Sequence, residues 1–298
     1  MERSVMDIAS ILADENTGDS PFPQDETSKR VLCGGYLIEP QRTPVSDACF
    51  EVFDMFDTII RIARKGETPQ AVRALDIKTN TGIWPISFVE SNRESIVTGI
   101  DTHRMHPQTY QSNVVFHTVD RIEGPWQLWE QDFDLVHYRL LFDTPINLAM
   151  LYENSFGVLQ SGGVLELEVL DWELSSDDNT IPRNSYLAQW VDKIKRSRQH
   201  SDVKETKAQL ERNGFIDVQV ERINLPINPG KMDHDENDIS AWFHSGLCAL
   251  LEASRSTQTP PEWVIPKDGD LAAKVKEEIR RVSIHAYMKL YVWRARKP

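Results

Sequence analysis

The chain has no apolar run approaching the roughly 18 residues a bilayer-spanning helix needs, so membrane insertion is not expected. Its N-terminus, MERSVMDIASILADENTGDS, lacks a basic flank followed by a long apolar core. No secretory or mitochondrial presequence is expected from it. Cysteine is sparse, and Cys33, Cys49 and Cys248 are scattered without metal-ligand spacing. An odd cysteine count without a signal peptide suits reduced thiols, and with them a cytoplasmic or nuclear location. Positive charge is in deficit: the formal net charge of −13 opposes broad nucleic-acid binding. The short basic cluster Lys193, Lys195, Arg196 and Arg198 reads as a solvated helix face. No Ser/His/Asp or Cys/His arrangement for nucleophilic catalysis stands out. His103 and His106 have no cysteine or acid at convincing spacing, so no metal is expected.

What the chain does contain is a repeated strand–helix alternation, which predicts an α/β fold with a mostly parallel sheet covered by helices on both faces. Residues 1–30 are polar and acidic and read as a flexible segment with one short apolar stretch, Val5 to Leu12. Residues 31–298 read as one domain with helical additions at about 175–205 and 230–285. Apolar residues at helical spacing from Asp47 to Arg64 predict an amphipathic helix ended by Lys65 and Gly66. Strands are predicted at 71–77, 95–100, 114–118, 133–141, 163–172, 215–225 and 287–296. Helices are predicted at 82–91, 145–160, 186–195, 205–212, 238–254 and 271–284, the second closed by Ser161, Gly162 and Gly163.

Chemistry concentrates in VRALDIKTNTGIWPISFV, Val72 to Val89, followed by VTGID ending at Asp101. The layout of strand, tight turn, helix, strand and terminal acid suits an adenosine-containing cofactor. The turn must bring backbone close to the ligand, which glycine permits, and the following helix offers free N–H groups. An acid after the second strand can accept from ribose hydroxyls, and one after the third can read the adenine amine. Asp76, Gly82, Asp101 and Asp120 occupy those places in order. The turn departs from the usual composition, because Lys78 and Asn80 stand where glycine is customary. Asparagine visits left-handed geometry more readily than most residues. A lysine side chain there could block the methionine slot or pair with the ligand carboxylate.

The segments ALDIKTNTGIW, GID, TVDRIEGPW, FDLVHYRLLF and SGGVLELEVLDW resemble class I S-adenosylmethionine-dependent methyltransferases, whose fold is Rossmann-like. The GGYLIEP segment, the SDDNTIPRNS loop and the ending IHAYMKLYVWRARKP narrow the resemblance to the fungal LaeA-like branch, which includes methyltransferases associated with velvet regulators. The resemblance implies an S-adenosylmethionine cofactor and roles for particular residues. Asp76 would stabilise the loop of Lys78 and Asn80, and Gly82 would open the helix beneath the cofactor. Asp101, with Thr102 beside it, would take the ribose, and Asp120 with Arg121 would sit near the adenine. Tyr36 would cap the cofactor. His137, Tyr138 and Arg139, at the end of the fourth strand, would face cofactor and substrate, with His137 as candidate base. A regulatory partner, velvet-type or another methyltransferase-like subunit, is implied, and the methyl acceptor is open.

Rival readings are a pseudo-methyltransferase that serves as a binding subunit, motivated by Lys78 and Asn80, and a small-molecule biosynthetic methyltransferase. Other residues keep two readings. His137 could be a satisfied strand histidine. Glu166 and Glu168 face one side of a buried strand, as a polar site wall or as salt-bridge partners. The stripe Trp242, Phe243, Leu247, Leu250 and Leu251 reads as core or partner surface rather than substrate pocket.

Overall fold

The structure is a computed structural model that describes residues 31–33, 36–38, 47–67, 69–126, 132–140, 146–197, 205–228, 234–256 and 269–298. The segment 1–30, with its apolar stretch, and nearly all of the 259–269 loop lie outside the described residues. The architecture is that of the unit Val31–Pro298. A two-stranded antiparallel sheet, β1 (Val31–Cys33) and β2 (Tyr36–Ile38), precedes helix α1 (Asp47–Ala63). Then come β3 (Arg73–Ile77), α2 (Ile83–Ser91), β4 (Ile96–Asp101), β5 (Val114–Thr118), β6 (Phe133–Leu140), α3 (Leu148–Val158) and β7 (Leu159–Ser175). The chain continues through α4 (Tyr186–Ser197), α5 (Thr206–Arg212), β8 (Ile216–Pro226), α6 (His234–Ser256), α7 (Gly269–Ile279) and β9 (Tyr287–Arg296).

The main sheet has seven strands in the order β5-β4-β3-β6-β7-β9-β8. The first five pair in parallel, whereas β9 runs antiparallel between β7 and β8. Strands β3 and β4 are buried along nearly their whole length, as parallel strands covered on both faces must be.

Helix α1 buries Val52, Phe56, Ile59, Ile60 and Ala63, the stripe expected of one helical face. It ends in a Schellman motif: Lys65 and Gly66 are left-handed (φ +52° and +73°), and the Gly66 N–H donates to the Arg61 carbonyl at 2.9 Å. Alternation along β7 divides the interior. Leu165, Leu167 and Val169 join Tyr138, Leu151 and Tyr152 on one face. Leu170 and Trp172 join α1, α4, α6 and α7 on the other. Phe56 meets Phe243 edge-on at 6.0 Å, and Trp172 meets Trp190 likewise at 6.0 Å. The helical additions thus share a core with α1, and the stripe Phe243, Leu247, Leu250 and Leu251 is buried within it.

Two expected boundaries are corrected. Ser161, Gly162 and Gly163 do not close α3, which ends at Val158 with Leu159 already extended. They lie in the first part of β7, where left-handed Gly162 (φ +81°) donates to the Lys297 carbonyl and the register against β6 shifts. A Cβ on Gly163 would come within 2.9 Å of the Phe133 carbonyl oxygen, so the strands can approach there only without a side chain. Helix α7 stops at Ile279 rather than continuing to Ile284. The buried Asn228 amide donates to the carbonyls of Glu278, Ile279 and Arg281, which satisfies the helix end from outside.

Phe243 is fully buried where α6 meets α1. Phe243→Ala is expected to cost about 3–5 kcal/mol, the usual cost of emptying a packed aromatic site, and a thermal melt monitored by circular dichroism checks this.

Candidate functional site: a strained loop above a buried charge network

The parallel strands β3, β4, β5 and β6 end on one side of the sheet, where open α/β sheets place their ligands. The loop from β3 to α2 runs Lys78, Thr79, Asn80, Thr81, Gly82, and alternate residues are left-handed: φ is +59° at Lys78, +49° at Asn80 and +76° at Gly82. Two side chains therefore adopt a geometry that glycine adopts freely, at about 1–2 kcal/mol each. Tertiary contacts hold the path. The Thr79 N–H donates to the Ile100 carbonyl (3.0 Å), and the Asn80 N–H to Asp101 Oδ2 (2.9 Å). Asn80 Nδ2 donates to the Lys78 carbonyl, and the Thr81 hydroxyl donates to Asp54 of α1 at 2.6 Å. At Gly82 a Cβ would lie 2.6 Å from the Phe116 ring, so only glycine fits.

Asp101 closes β4 and is 4% exposed. Burial raises its pKa above the usual carboxylate value, and the Asn80 N–H, the Lys78 charge and the His103 N–H offset only part of that. Thr102 lies beside it, its hydroxyl 3.4 Å from Asp101 Oδ1. Asp120 and Arg121 are exposed just beyond β5, and the Val119 N–H bonds to the Asp101 carbonyl and ties the two strand ends together. His106 packs flat on Phe116 at 4.2 Å beneath Gly82 and Gly99, and burial keeps its pKa low. Tyr36 falls in β2 opposite Cys33, and its side chain is outside the described residues.

His137 is not at the strand end. It stands mid-strand, paired in register with Asp76 on one side and Glu166 on the other, and is 1% exposed. Its Nδ1 lies 2.7 Å from Asp76 Oδ1, and its ring stacks on Trp84 with centroids 3.9 Å apart and planes 3° apart. Its Nε2 is 3.4 Å from Glu168, an electrostatic contact rather than a well-formed hydrogen bond. Burial opposes its charge, but Asp76 and Glu168 outweigh that and raise its pKa above the ordinary histidine value. Tyr138, expected to share this wall, points to the opposite face and is packed in the core with Tyr152, because successive strand residues alternate.

Glu166 and Glu168 are wholly buried and are salt-bridge partners. Arg64, at the end of α1, donates to Glu166 at 2.7 and 2.8 Å and also bonds Glu168. Arg139 bridges Glu168 and Asp57, and Arg294 reaches Glu166 at 2.8 Å. These charges hold the Glu168 carboxyl well below the usual range despite its burial. His137, Glu166 and Glu168 are close enough to hold a metal ion, but the guanidiniums already occupy the carboxylates. The sequence reading missed Arg64 and Asp57 as members of this network. The available signal was the pair of acids in a strand that had to be buried.

A cavity of about 30 Å³ lies under the loop, lined by Phe53, Asp76, Lys78, Trp84, His137 and Arg139 among others. Trp84, Asp57 and Arg139 also line an adjoining cleft of about 210 Å³ between α1 and α2. A more open hollow of about 550 Å³ around Val72, Glu94 and Gln160 lies at the other end of the strands, away from the loop. Among the described residues no helix is long and apolar enough to cross a membrane.

No protein-family model matches the chain. It is 30% identical over 284 residues to the secondary metabolism regulator LAE1 of Cochliobolus heterostrophus, covering 89% of this chain and 91% of that protein. The chain belongs to the LaeA/LAE1 family of secondary metabolism regulators. It is also 28% identical over 263 residues to the protein-methionine methyltransferase laeA of Emericella nidulans, covering 82% of this chain and 69% of that one. Among solved structures, phosphoethanolamine N-methyltransferase 2 of Haemonchus contortus, in complex with S-adenosyl-L-methionine, superposes with a TM-score of 0.53 at 15% identity. The match covers 86% of this chain and 58% of that one. This LaeA-family chain therefore has the Rossmann-like class I methyltransferase fold that its motifs led us to expect.

Glu168→Gln would leave Arg64 and Arg139 short of a buried partner, and the expected cost is about 3–5 kcal/mol in urea unfolding. Glu173→Gln, which breaks the exposed pair with Lys195, should change stability by less than about 1 kcal/mol. The depressed Glu168 pKa fixes the sign of the pH effect. Its stabilisation is present above the unfolded carboxyl pKa and is lost as pH falls through the folded value. The stability gap between wild type and Glu168→Gln should therefore close in acid.

Proposed function

We propose that this LaeA-family chain is an S-adenosylmethionine-dependent methyltransferase whose acceptor needs no deprotonation, a protein methionine thioether being the case that fits best. The single observation carrying the cofactor reading is the buried Asp101 carboxylate at the end of β4, gripping a loop bent into the left-handed path that glycines usually supply. A carboxylate has about four acceptor sites, and beyond its contacts to Asn80, Thr102 and His103 Asp101 keeps one, on Oδ2, for a ribose hydroxyl. Thr102 lies alongside, and Asp120 with Arg121 stands at the neighbouring strand end for the adenine. At the methionine end, a cavity of about 30 Å³ admits about one water. Side chains that line it, Lys78 among them, must move when the ligand enters. When bound, the cofactor supplies an electrophilic methyl group, and the protein's task is alignment and exclusion of water.

What His137 is unable to do supports this acceptor class. The ring is buried, its Nδ1 is bonded to Asp76 and one face is covered by Trp84, so it is not placed to take a proton from an acceptor. Asp57 and Arg139, which line the same cavity, are committed to each other. A thioether presents a lone pair without losing a proton, so such a site suits it. The relative named a protein-methionine methyltransferase agrees with this choice. A velvet-type or other regulatory partner, and a nuclear or cytoplasmic setting, belong to the same proposal.

The small loop cavity favours one rival, a binding subunit without turnover. Calorimetric titration with S-adenosylmethionine and S-adenosylhomocysteine separates the two. Micromolar affinity lost in Asp101→Asn is expected. No binding at millimolar ligand, alone and with a partner, would favour the binding subunit. Mass spectrometry of methionine-containing peptides then tests the acceptor.

A further inference from the structure

The loop Lys78–Gly82 is flanked by Asp76 on its N-terminal side and by Trp84 on its C-terminal side. Both flanking residues meet the same ring: Asp76 bonds Nδ1 of His137, and Trp84 lies flat on its face. On its far side Nε2 faces Glu168, which is itself held by Arg64, just after α1, and Arg139 of β6. We infer that His137 is a positioning residue, a protonated staple that joins the two ends of the loop and so sets the loop's affinity for its ligand. That the loop is a ligand site rests on the reading above, whereas the staple itself does not.

Charge counting within the network supports the protonated form. Asp57, Asp76, Glu166 and Glu168 are all buried, and Arg64, Arg139 and Arg294 pair with three of them. Asp76 takes His137 as its bonded partner, and a cationic ring balances that fourth carboxylate. A cation facing an indole is also favoured by the ring's quadrupole. Every packed element contributes to this environment: Asp76 from β3, Lys78 from the loop, Arg139 from β6, Glu166 and Glu168 from β7, Asp57 from α1 with Arg64 just after it, and Arg294 from β9 through Glu166. The sign of the pH effect follows. The folded pKa is raised, so the contribution is complete below the unfolded histidine value and is lost as pH rises through the folded value.

The test uses the full chain and two independent readouts. Histidine-selective NMR, assigned with His137→Gln, should find the ring protonated past the ordinary histidine range. Hydrogen exchange at the Asn80 and Gly82 amides, both bonded in the wild type, should quicken in His137→Gln. Affinity for S-adenosylhomocysteine should be level below the His137 pKa and fall above it by at most about tenfold per pH unit, levelling near the weaker, pH-independent affinity of His137→Gln. A merely structural histidine would lower the melting temperature without producing this profile. If His137→Gln fails to fold, Trp84→Leu takes its place and should speed the same amides and lower the His137 pKa. A neutral ring at pH 6, or unchanged exchange at Asn80 and Gly82, overturns the staple. Absence of ligand binding in the wild type sinks only the functional reading, since exchange and titration still decide the staple.

Discussion

Two carboxylates in the middle of a buried strand set the terms for much of this structure. Glu166 and Glu168 have no exposure, and an unpaired charge at such a depth costs several kcal/mol. Arg64 must therefore come in from the turn just after α1, and Arg139 from the neighbouring strand. Once Arg64 is fixed, α1 lies against the sheet with Asp54 over the β3–α2 loop and Phe56 turned toward α6. The helical additions then pack on α1 around Phe243 and Leu247, so the placement of an apolar core follows from the satisfaction of a polar one.

The same network explains how the loop keeps a costly backbone. Left-handed Lys78 and Asn80 would relax in isolation, and strain of that kind persists only where surrounding structure over-determines it. Here Asp101 takes the Asn80 N–H, Asp54 takes the Thr81 hydroxyl, and His137 ties Asp76 to Trp84. Asp101 is itself costly, a buried carboxylate whose hydrogen-bond donors are the Asn80 and His103 N–H groups and the Thr102 hydroxyl. Strain and a buried charge concentrated at the ends of β3 and β4 are the pattern of a site maintained for binding at some cost in stability.

Histidine 137 illustrates how context changes a residue's chemistry. A strand-end histidine facing solvent would be a natural proton acceptor. In mid-strand, its two nitrogens face Asp76 and Glu168 and one face of its ring is covered by Trp84. The methyl transfer proposed above, which needs no base, suits that arrangement.

Period and punctuation made most of the fold legible in the sequence. Val114–Thr118 and Tyr287–Arg296 are strands at the predicted residues, and the end of α1 at Lys65 and Gly66 follows from local backbone preference. The order of Asp76, Gly82, Asp101 and Asp120 along the chain likewise matches the succession of β3, the left-handed loop, the end of β4 and the turn after β5. Sequence did not reveal that Gly162 belongs to a strand irregularity, because the partner that defines it, Lys297, is distant in the chain. Nor did it reveal that Asn228 would end α7 from outside. Which face Tyr138 takes, and which arginines answer Glu166 and Glu168, depended on register between strands and on the docking of α1. Local propensities act over a few residues and are written in the sequence itself. Pairing, burial and the charged surroundings of His137 arise only when segments far apart are packed together, and the tertiary structure alone decided them.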